Sequence, residues 1–190
     1  YKENNNIPNE FFRYEIQQPC KDGSLIWTEI IINYFVDNET GKLMIRGVAR
    51  DIEERKKIEA RLKKAYEEYK ILFENVSEII VLIQDSNIKR VNSAAIKITG
   101  YTYEEIYSIP FIDFVAEEFR EVAYNNHLKR LKDEFFNEKY ALKIKIKNGT
   151  EKWFNVSGVK IIWEGKPAIL NFLSDITELK DIQEKLIKQN

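Results

Sequence analysis

Two rhythms of apolar residues run along this chain. Residues 12–19 and 25–36 read as strands, and Leu43 to Ala49 as a third. Before the third lies Asp37-Asn38-Glu39-Thr40-Gly41, whose short polar residues accept tight backbone angles and whose glycine takes a positive φ. A three-stranded antiparallel meander is expected. From Asp51 to about Phe73 the rhythm turns helical. Asp51 with Glu54 three residues on fits a capping box, which satisfies the first free amides of a helix. Ile58, Leu62, Ala65, Tyr69 and Leu72 step by 4, 3, 4 and 3, a heptad seam that prefers a partner helix. Lysine, arginine and glutamate crowd the other faces. The expectation is a long coiled-coil-type linker helix that pairs with a second copy of the chain.

A longer series follows. Glu78 to Gln84 is an apolar strand, Asp85-Ser86-Asn87 turns the chain, and Ile88 to Val91 returns it. Asn92 to Thr99 reads as a short helix stopped at Gly100. Thr102 and Glu105 fit another capping box, opening a helical turn to Tyr107 that Pro110 breaks. Phe111 to Val115 is compact and apolar. Glu117 to about Asp133 reads as a longer helix, with Phe119, Val122, Ala123 and Leu131 able to face inward. Tyr140, Leu142, Ile144 and Ile146 alternate with Ala141, Lys143, Lys145 and Lys147, a half-buried strand with one wet face. Lys152 to Trp163 and Lys166 to Ser174 complete the sheet. Alternation in the first of these leaves two candidate inner faces. One carries Trp153, Asn155, Ser157, Val159 and Ile161; the other carries Phe154, Val156, Gly158, Lys160 and Ile162.

The two series share their last parts. Asp51-Ile52-Glu53-Glu54-Arg55 returns as Asp175-Ile176-Thr177-Glu178-Leu179, 124 residues later. Lys21-Asp22-Gly23-Ser24 with Trp27 answers to Lys147-Asn148-Gly149-Thr150 with Trp153, at an offset of 126. One unit therefore occurs twice, the first time without its front half. In the complete copy, strands from both ends must lie side by side while the helices cross one face and enclose a space. That is an α+β architecture with a five-stranded antiparallel sheet. The expected division is a half unit at 1–50, a linker helix at 51–74, a complete domain at 75–175 and an outgoing helix at 176–190.

Bulk composition narrows the function. The 30 basic and 31 acidic residues nearly cancel, so the basic footprint of a nucleic-acid binder is missing. Cys20 stands alone, too few for an internal disulfide and without metal-ligand spacing. It reads as a small residue near a strand end and fits a reducing, cytoplasmic setting. The longest apolar stretch, Ile79 to Ile83, falls far short of the ~20 residues that span a bilayer. No signal peptide opens the chain. It starts at Tyr1 without methionine and is read as a fragment of a parent that can carry its own membrane anchor.

Several motifs resemble the PAS family with its C-terminal PAC motif. Asn92-Ser93-Ala94-Ala95 with Thr99-Gly100-Tyr101-Thr102-Tyr103-Glu104-Glu105 is similar to the family's helix pair. Lys147-Asn148-Gly149-Thr150 with Trp153 resembles its hairpin, and Leu173-Ser174-Asp175-Ile176-Thr177-Glu178 its closing signature. Asp51-Ile52-Glu53 is a variant with glutamate where threonine is usual. The resemblance covers 70–180. It implies a sensory module: a five-stranded sheet gripping a small cavity, paired through flanking helices, upstream of a histidine kinase, diguanylate cyclase or transcription factor.

The chemistry expected of such a cavity is limited. His127 is the one histidine. It reads as wet or hydrogen-bonded, with the haem-ligand position of the family one turn earlier, near Tyr124. The stretch Tyr103 to Pro110 lacks the cysteine of the family's flavin photosensors. No cofactor is assigned. The candidate ligand-binding residues for an unidentified small molecule are Tyr101, Tyr124, Asn155, Ser157 and Asn171, the last inside the apolar run Ala168 to Leu173. A buried amide of this kind needs hydrogen bonds from backbone, water or ligand. The candidate relay residues are Asp175, Thr177 and Glu178 at the second exit and Asp51 and Glu54 at the first, each pair read as a capping box. No phosphate-cradling loop, phospho-accepting histidine or nucleotide block is visible, so no enzyme is expected within this chain. The expected partners are a second copy through the helices and a downstream output domain, with a histidine kinase the leading parent. A ligand-free dimerisation module is the alternative.

Overall fold

In the computed structural model, which describes residues 10–132 and 139–189, the chain divides into two compact units, one running to Glu68 and one from Tyr69. The first is the expected antiparallel meander, β1 (Phe12–Pro19), β2 (Leu25–Val36) and β3 (Leu43–Asp51), in that spatial order. Side chains alternate across a strand. Ile45 and Val48 therefore lie on opposite faces of β3, yet they are 60% and 68% exposed.

Helix α1 (Glu53–Asn75) is one continuous rod with no buried residue. Its seam residues Ile58, Leu62, Tyr69 and Leu72 are each more than half exposed. The long helix is present, whereas a coiled coil, which needs a second helix, is not evident in the single chain.

The second unit is a five-stranded antiparallel sheet with a run of short helices between its second and third strands. The strands are β4 (Ile79–Gln84), β5 (Asn87–Val91), β6 (Tyr140–Lys145), β7 (Glu151–Trp163) and β8 (Lys166–Asp175). Their spatial order is β5-β4-β8-β7-β6. The first and last strands thus pair at the centre, with Val81 opposite Asn171. All six residues of β4 are buried, which is why it reads as an unbroken apolar run. Asp85 and Ser86 close the β4–β5 hairpin at φ of 51° and 61°, the twist that a two-residue turn requires. Asn87 belongs to β5.

The crossing segment holds α2 (Ser93–Thr99), α3 (Tyr103–Ser108), a 3-10 turn at Phe111–Phe114, another at Glu117–Phe119, and α4 (Arg120–Leu131). The Thr102–Glu105 capping box is fully formed. Gly100 ends α2 in the left-handed region, its N–H donating to the Ile96 carbonyl. The single helix expected from Glu117 begins instead as a 3-10 turn, and its expected end at Asp133 lies outside the described residues. Of its proposed inward residues Ala123 is buried and Val122 is half exposed.

The core settles which face of β7 looks inward. Phe154 is fully buried and Val156 nearly so, both in one cluster with Ile79, Val81, Leu142 and Leu173. Trp153, Asn155 and Ser157 occupy the opposite face.

Asn92 is fully buried and does not cap α2. Its Oδ1 accepts from the Ile80 N–H at 3.1 Å, and its Nδ2 donates to the Glu78 carbonyl at 2.9 Å. Next door, Ser93 N–H donates to Glu74 Oε2 at 2.7 Å, tying the start of α2 to the last turn of α1. Asn92→Ala takes the partner from the buried Ile80 N–H and from the partly buried Glu78 carbonyl, at about 1–3 kcal/mol for a buried group and less for the other. Denaturant unfolding of the variant is expected to show a loss of about 2–4 kcal/mol; a change under 1 kcal/mol would contradict this role for Asn92.

Candidate functional site

Between the inner face of the sheet and the crossing helices lies a cavity of about 100 Å³. Its wall is aliphatic and phenyl except at Thr99, His127, Arg130, Tyr140 and Asn171. Thr99 spends its hydroxyl on the Ala95 carbonyl one turn back, at 2.6 Å. The others gather round Arg130. Arg130 is only 6% exposed. Its Nη1 donates to Asn171 Oδ1 at 3.3 Å, and its carbon stands 5.3 Å from the centre of the Tyr140 ring. Burial raises the Tyr140 phenol above its usual range, although Arg130 pulls the other way. His127 packs its ring 5.0 Å from that of Phe111. Burial first, and the Arg130 charge second, hold its imidazole below the usual value.

Gly158 makes room for this arrangement. It sits opposite Asn171 across β7 and β8, and a Cβ there would stand 2.6 Å from Asn171 Oδ1. The equivalent pair in the first unit is reversed: Ile32 lies opposite Gly47, where a Cβ would stand 2.7 Å from Ile32 Cγ2. Each cross-strand position admits one side chain, polar in one copy and aliphatic in the other.

The expected ligand residues divide. Asn171 lines the cavity, donating its amide to the Ile169 carbonyl at 3.4 Å. Tyr101 does not; it packs edge-on against Phe114, with ring centres 5.2 Å apart. Tyr124 is 41% exposed on the outer side of α4. Asn155 and Ser157 stand on the face of β7 away from the core. The expectation of a wet His127 is overturned as well, because α4 turns that face onto Phe111. Arg130 and Tyr140 went unrecognised as site residues. Gly158 was the available signal, since a glycine inside a strand marks close approach of a neighbour.

At the end of β8 the chain enters α5 (Thr177–Gln189) through a junction that both units share. The Trp153 carbonyl accepts from Ile176 N–H at 2.9 Å, as the Trp27 carbonyl does from Ile52 N–H. The Trp153 N–H donates to Thr177 Oγ1 at 3.0 Å, and the Trp27 N–H to Glu53 Oε2 at 2.9 Å. A lysine ammonium then covers each indole, Lys180 at 5.3 Å and Lys56 at 5.0 Å. Asp175 Oδ1 takes the Thr177 N–H at 3.0 Å, and Asp51 Oδ1 the Glu53 N–H at 2.8 Å. Both caps therefore engage the residue two positions on. This corrects the capping boxes expected with Glu178 and Glu54: Glu178 is exposed, and Glu54 pairs with Arg61 at 3.3 Å. Burial pushes the Asp175 carboxyl up, but bonds from Lys152 and Thr177 outweigh it and hold the group below its usual range.

A family model described as a PAS domain matches residues 1–54 and 77–178. Among solved structures, the chain is similar to the PAS domain of an HTR-like protein from Haloarcula marismortui. That match has 22% identity and a TM-score of 0.55, covering 64% of this chain and 99% of that one. A PAS domain protein from Colwellia psychrerythraea is 20% identical with a TM-score of 0.51, over 62% of this chain and 98% of that one. A PAS domain from a two-component sensor histidine kinase is 14% identical with a TM-score of 0.50, over 60% and 97%. These likenesses show the fold. No curated protein gives a significant match.

Gly158→Ala is expected to destabilise the second unit by about 1–3 kcal/mol, the usual cost of overfilling a packed site. Asn171→Ala in the same chain should recover most of it; an additive loss would break the proposed link. For His127, the folded chain binds fewer protons than the unfolded one once pH falls below the free value of 6.5. Its stabilising share is thus complete above 6.5 and declines on acidification towards the folded pKa. Between those limits the slope is at most about 1.4 kcal/mol per pH unit. Thermal melts should show a shallower acid decline in His127→Phe; parallel curves would assign the decline elsewhere.

Proposed function

The chain belongs to the PAS domain family, and from that premise we propose that its second unit is a sensory module. It takes a small molecule into the cavity and passes its state through α5 to an output domain of the same protein. The observation that carries this reading is the cavity with a charged, hydrogen-bonded cluster on an otherwise apolar wall. Ligand sites have this make-up: mostly apolar, with a few polar groups that fix orientation. A volume of about 100 Å³ suits a small metabolite rather than a porphyrin or a flavin.

The relay runs along β8. Asn171, at the cavity wall, and Asp175, at the junction, lie four residues apart on one strand. A ligand that shifts β8 therefore loads the Asp175–Thr177 cap. A cap is worth about 0.5–2 kcal/mol, close to the roughly 1–3 kcal/mol of typical allosteric coupling. Loss or gain of the cap is thus enough to bias a helix between two states. Glu53 and Asp51 supply the same device at the start of α1.

The output is proposed to be a histidine kinase, in line with the similar PAS domain from a two-component sensor histidine kinase. The chain itself contributes no catalysis in this reading. Its open heptad seam on α1 pairs with a second copy, in a cytoplasmic setting. That seam also favours a second reading, a ligand-free module that dimerises and spaces a signalling protein.

Native mass spectrometry of protein taken from its own host separates the two. A stoichiometric small molecule supports sensing, and an empty chain under gentle release supports the spacer. In the full-length protein, Asp175→Ala should cut the ligand-dependent change in output at least about fivefold while ligand affinity moves less than about twofold. Equal loss of both would remove Asp175 from the relay.

A further inference from the structure

We propose that the cavity of the second unit takes a small uncharged molecule bearing one oxygen, of the size of a short alcohol, and that His127 is its hydrogen-bond partner. The inference rests on the sensory reading above and names the chemistry of its ligand.

The protein itself already engages most of the polar side chains on the wall. Arg130 Nη1 donates to Asn171 Oδ1, and the Asn171 amide donates to the Ile169 carbonyl. The Tyr140 hydroxyl bonds Arg130 and Asn126. The Thr99 hydroxyl donates to the Ala95 carbonyl. His127 is the exception. It lines the cavity and is 4% exposed, yet its ring packs on Phe111 and makes no hydrogen bond to the described residues. Buried polar groups of native proteins have partners as a rule. The same ring borders a depression on the outer surface, beside Ser86, Leu131 and Pro167, and it is the one residue common to both spaces. A guest that passes between them meets the imidazole.

Burial and the nearby Arg130 charge keep the imidazole neutral, so it offers one N–H donor and one bare nitrogen acceptor. A hydroxyl both donates and accepts and can answer either nitrogen. Charge on the guest is disfavoured in both signs. No aspartate or glutamate stands among the described residues lining the cavity, so a cation would meet Arg130 without a counter-charge. An anion would leave water for a guanidinium whose partners are already in place, and an ion that sheds its hydration without new bonds pays heavily. The rest of the wall, Val81, Ile106, Leu142, Val156 and Leu173 among it, gives only apolar contact. An apolar cavity of ~150 Å³ takes benzene, with six carbons. By that measure, a volume of about 100 Å³ holds about four non-hydrogen atoms.

Titration of the whole chain, followed by NMR, with 2-propanol, acetate, isopropylammonium and xenon tests this. The first three probes share one size and differ in charge, and xenon reports the space alone. 2-Propanol is expected to bind at least about tenfold more tightly than either ion. His127→Phe, which keeps a ring against Phe111, should weaken 2-propanol about threefold to tenfold and leave xenon unchanged. If that variant fails to fold, the unaltered chain still decides, because its one histidine gives unambiguous ring-nitrogen signals. Those signals should move as 2-propanol saturates the cavity. Acetate or isopropylammonium binding as tightly as 2-propanol, unchanged 2-propanol affinity in His127→Phe, or ring signals that stay still while cavity methyl signals move, overturns the proposal and leaves the cavity a ligand site. Failure of all four probes, xenon included, overturns the sensory reading with it.

Discussion

The pairing of β4 with β8 is the constraint on which the rest of the second unit depends. It joins the first strand of the unit to the last and so closes a loop that contains every crossing helix. The helices are then trapped over one face, and the space beneath them is a consequence of closure. Asn92 reinforces the seam from the side by bonding the backbone on either side of Ile79, the first residue of β4. Because β8 also carries Asn171 and ends at Asp175, one strand supports the sheet, touches the cavity and meets the outgoing helix.

The tryptophan junction shows how the same backbone problem is solved twice with different side chains. In both units a strand must hand over to a helix, and the first helical amides need acceptors. Asp175 and Asp51 supply one. The tryptophan N–H on the neighbouring strand needs an acceptor too, and the residue two places after the aspartate provides it. Threonine does so with a hydroxyl and glutamate with a carboxylate. The variant at Glu53 therefore keeps the geometry while adding a charge, which its i,i+4 neighbour Lys57 balances at 3.6 Å. A lysine on each indole covers the joint from solvent.

What could be read from residue order was what short-range physics decides. Strand alternation, the Thr102–Glu105 box, the Gly100 stop and the repeated hairpin all lie within a few residues of their cause. The site was harder because its orientation is set at long range. The 3-10 turn at Glu117–Phe119 stands where a continuous helix was expected, so the placing of His127 and Arg130 over the sheet was not readable by counting. On β7 both faces mix apolar and polar residues, so alternation alone could not choose between Asn155 and Val156. Asn171 was legible because it interrupts an apolar run. Its partner Arg130 was hidden in a lysine- and arginine-rich stretch that resembles a solvated surface. The caps were placed correctly on the aspartates, but their partners were misassigned by one position, a difference that only the neighbouring tryptophan explains.

The reversed pairs, Gly158 with Asn171 and Ile32 with Gly47, bear on how such cavities diverge. Swapping a polar tenant for an aliphatic one across the two strands takes two codon changes. Made in one order they pass through a collision, and in the other through a hole. A lineage that retunes the polarity of this pocket must therefore cross an epistatic ridge, and duplication of the unit offers a spare copy in which to cross it.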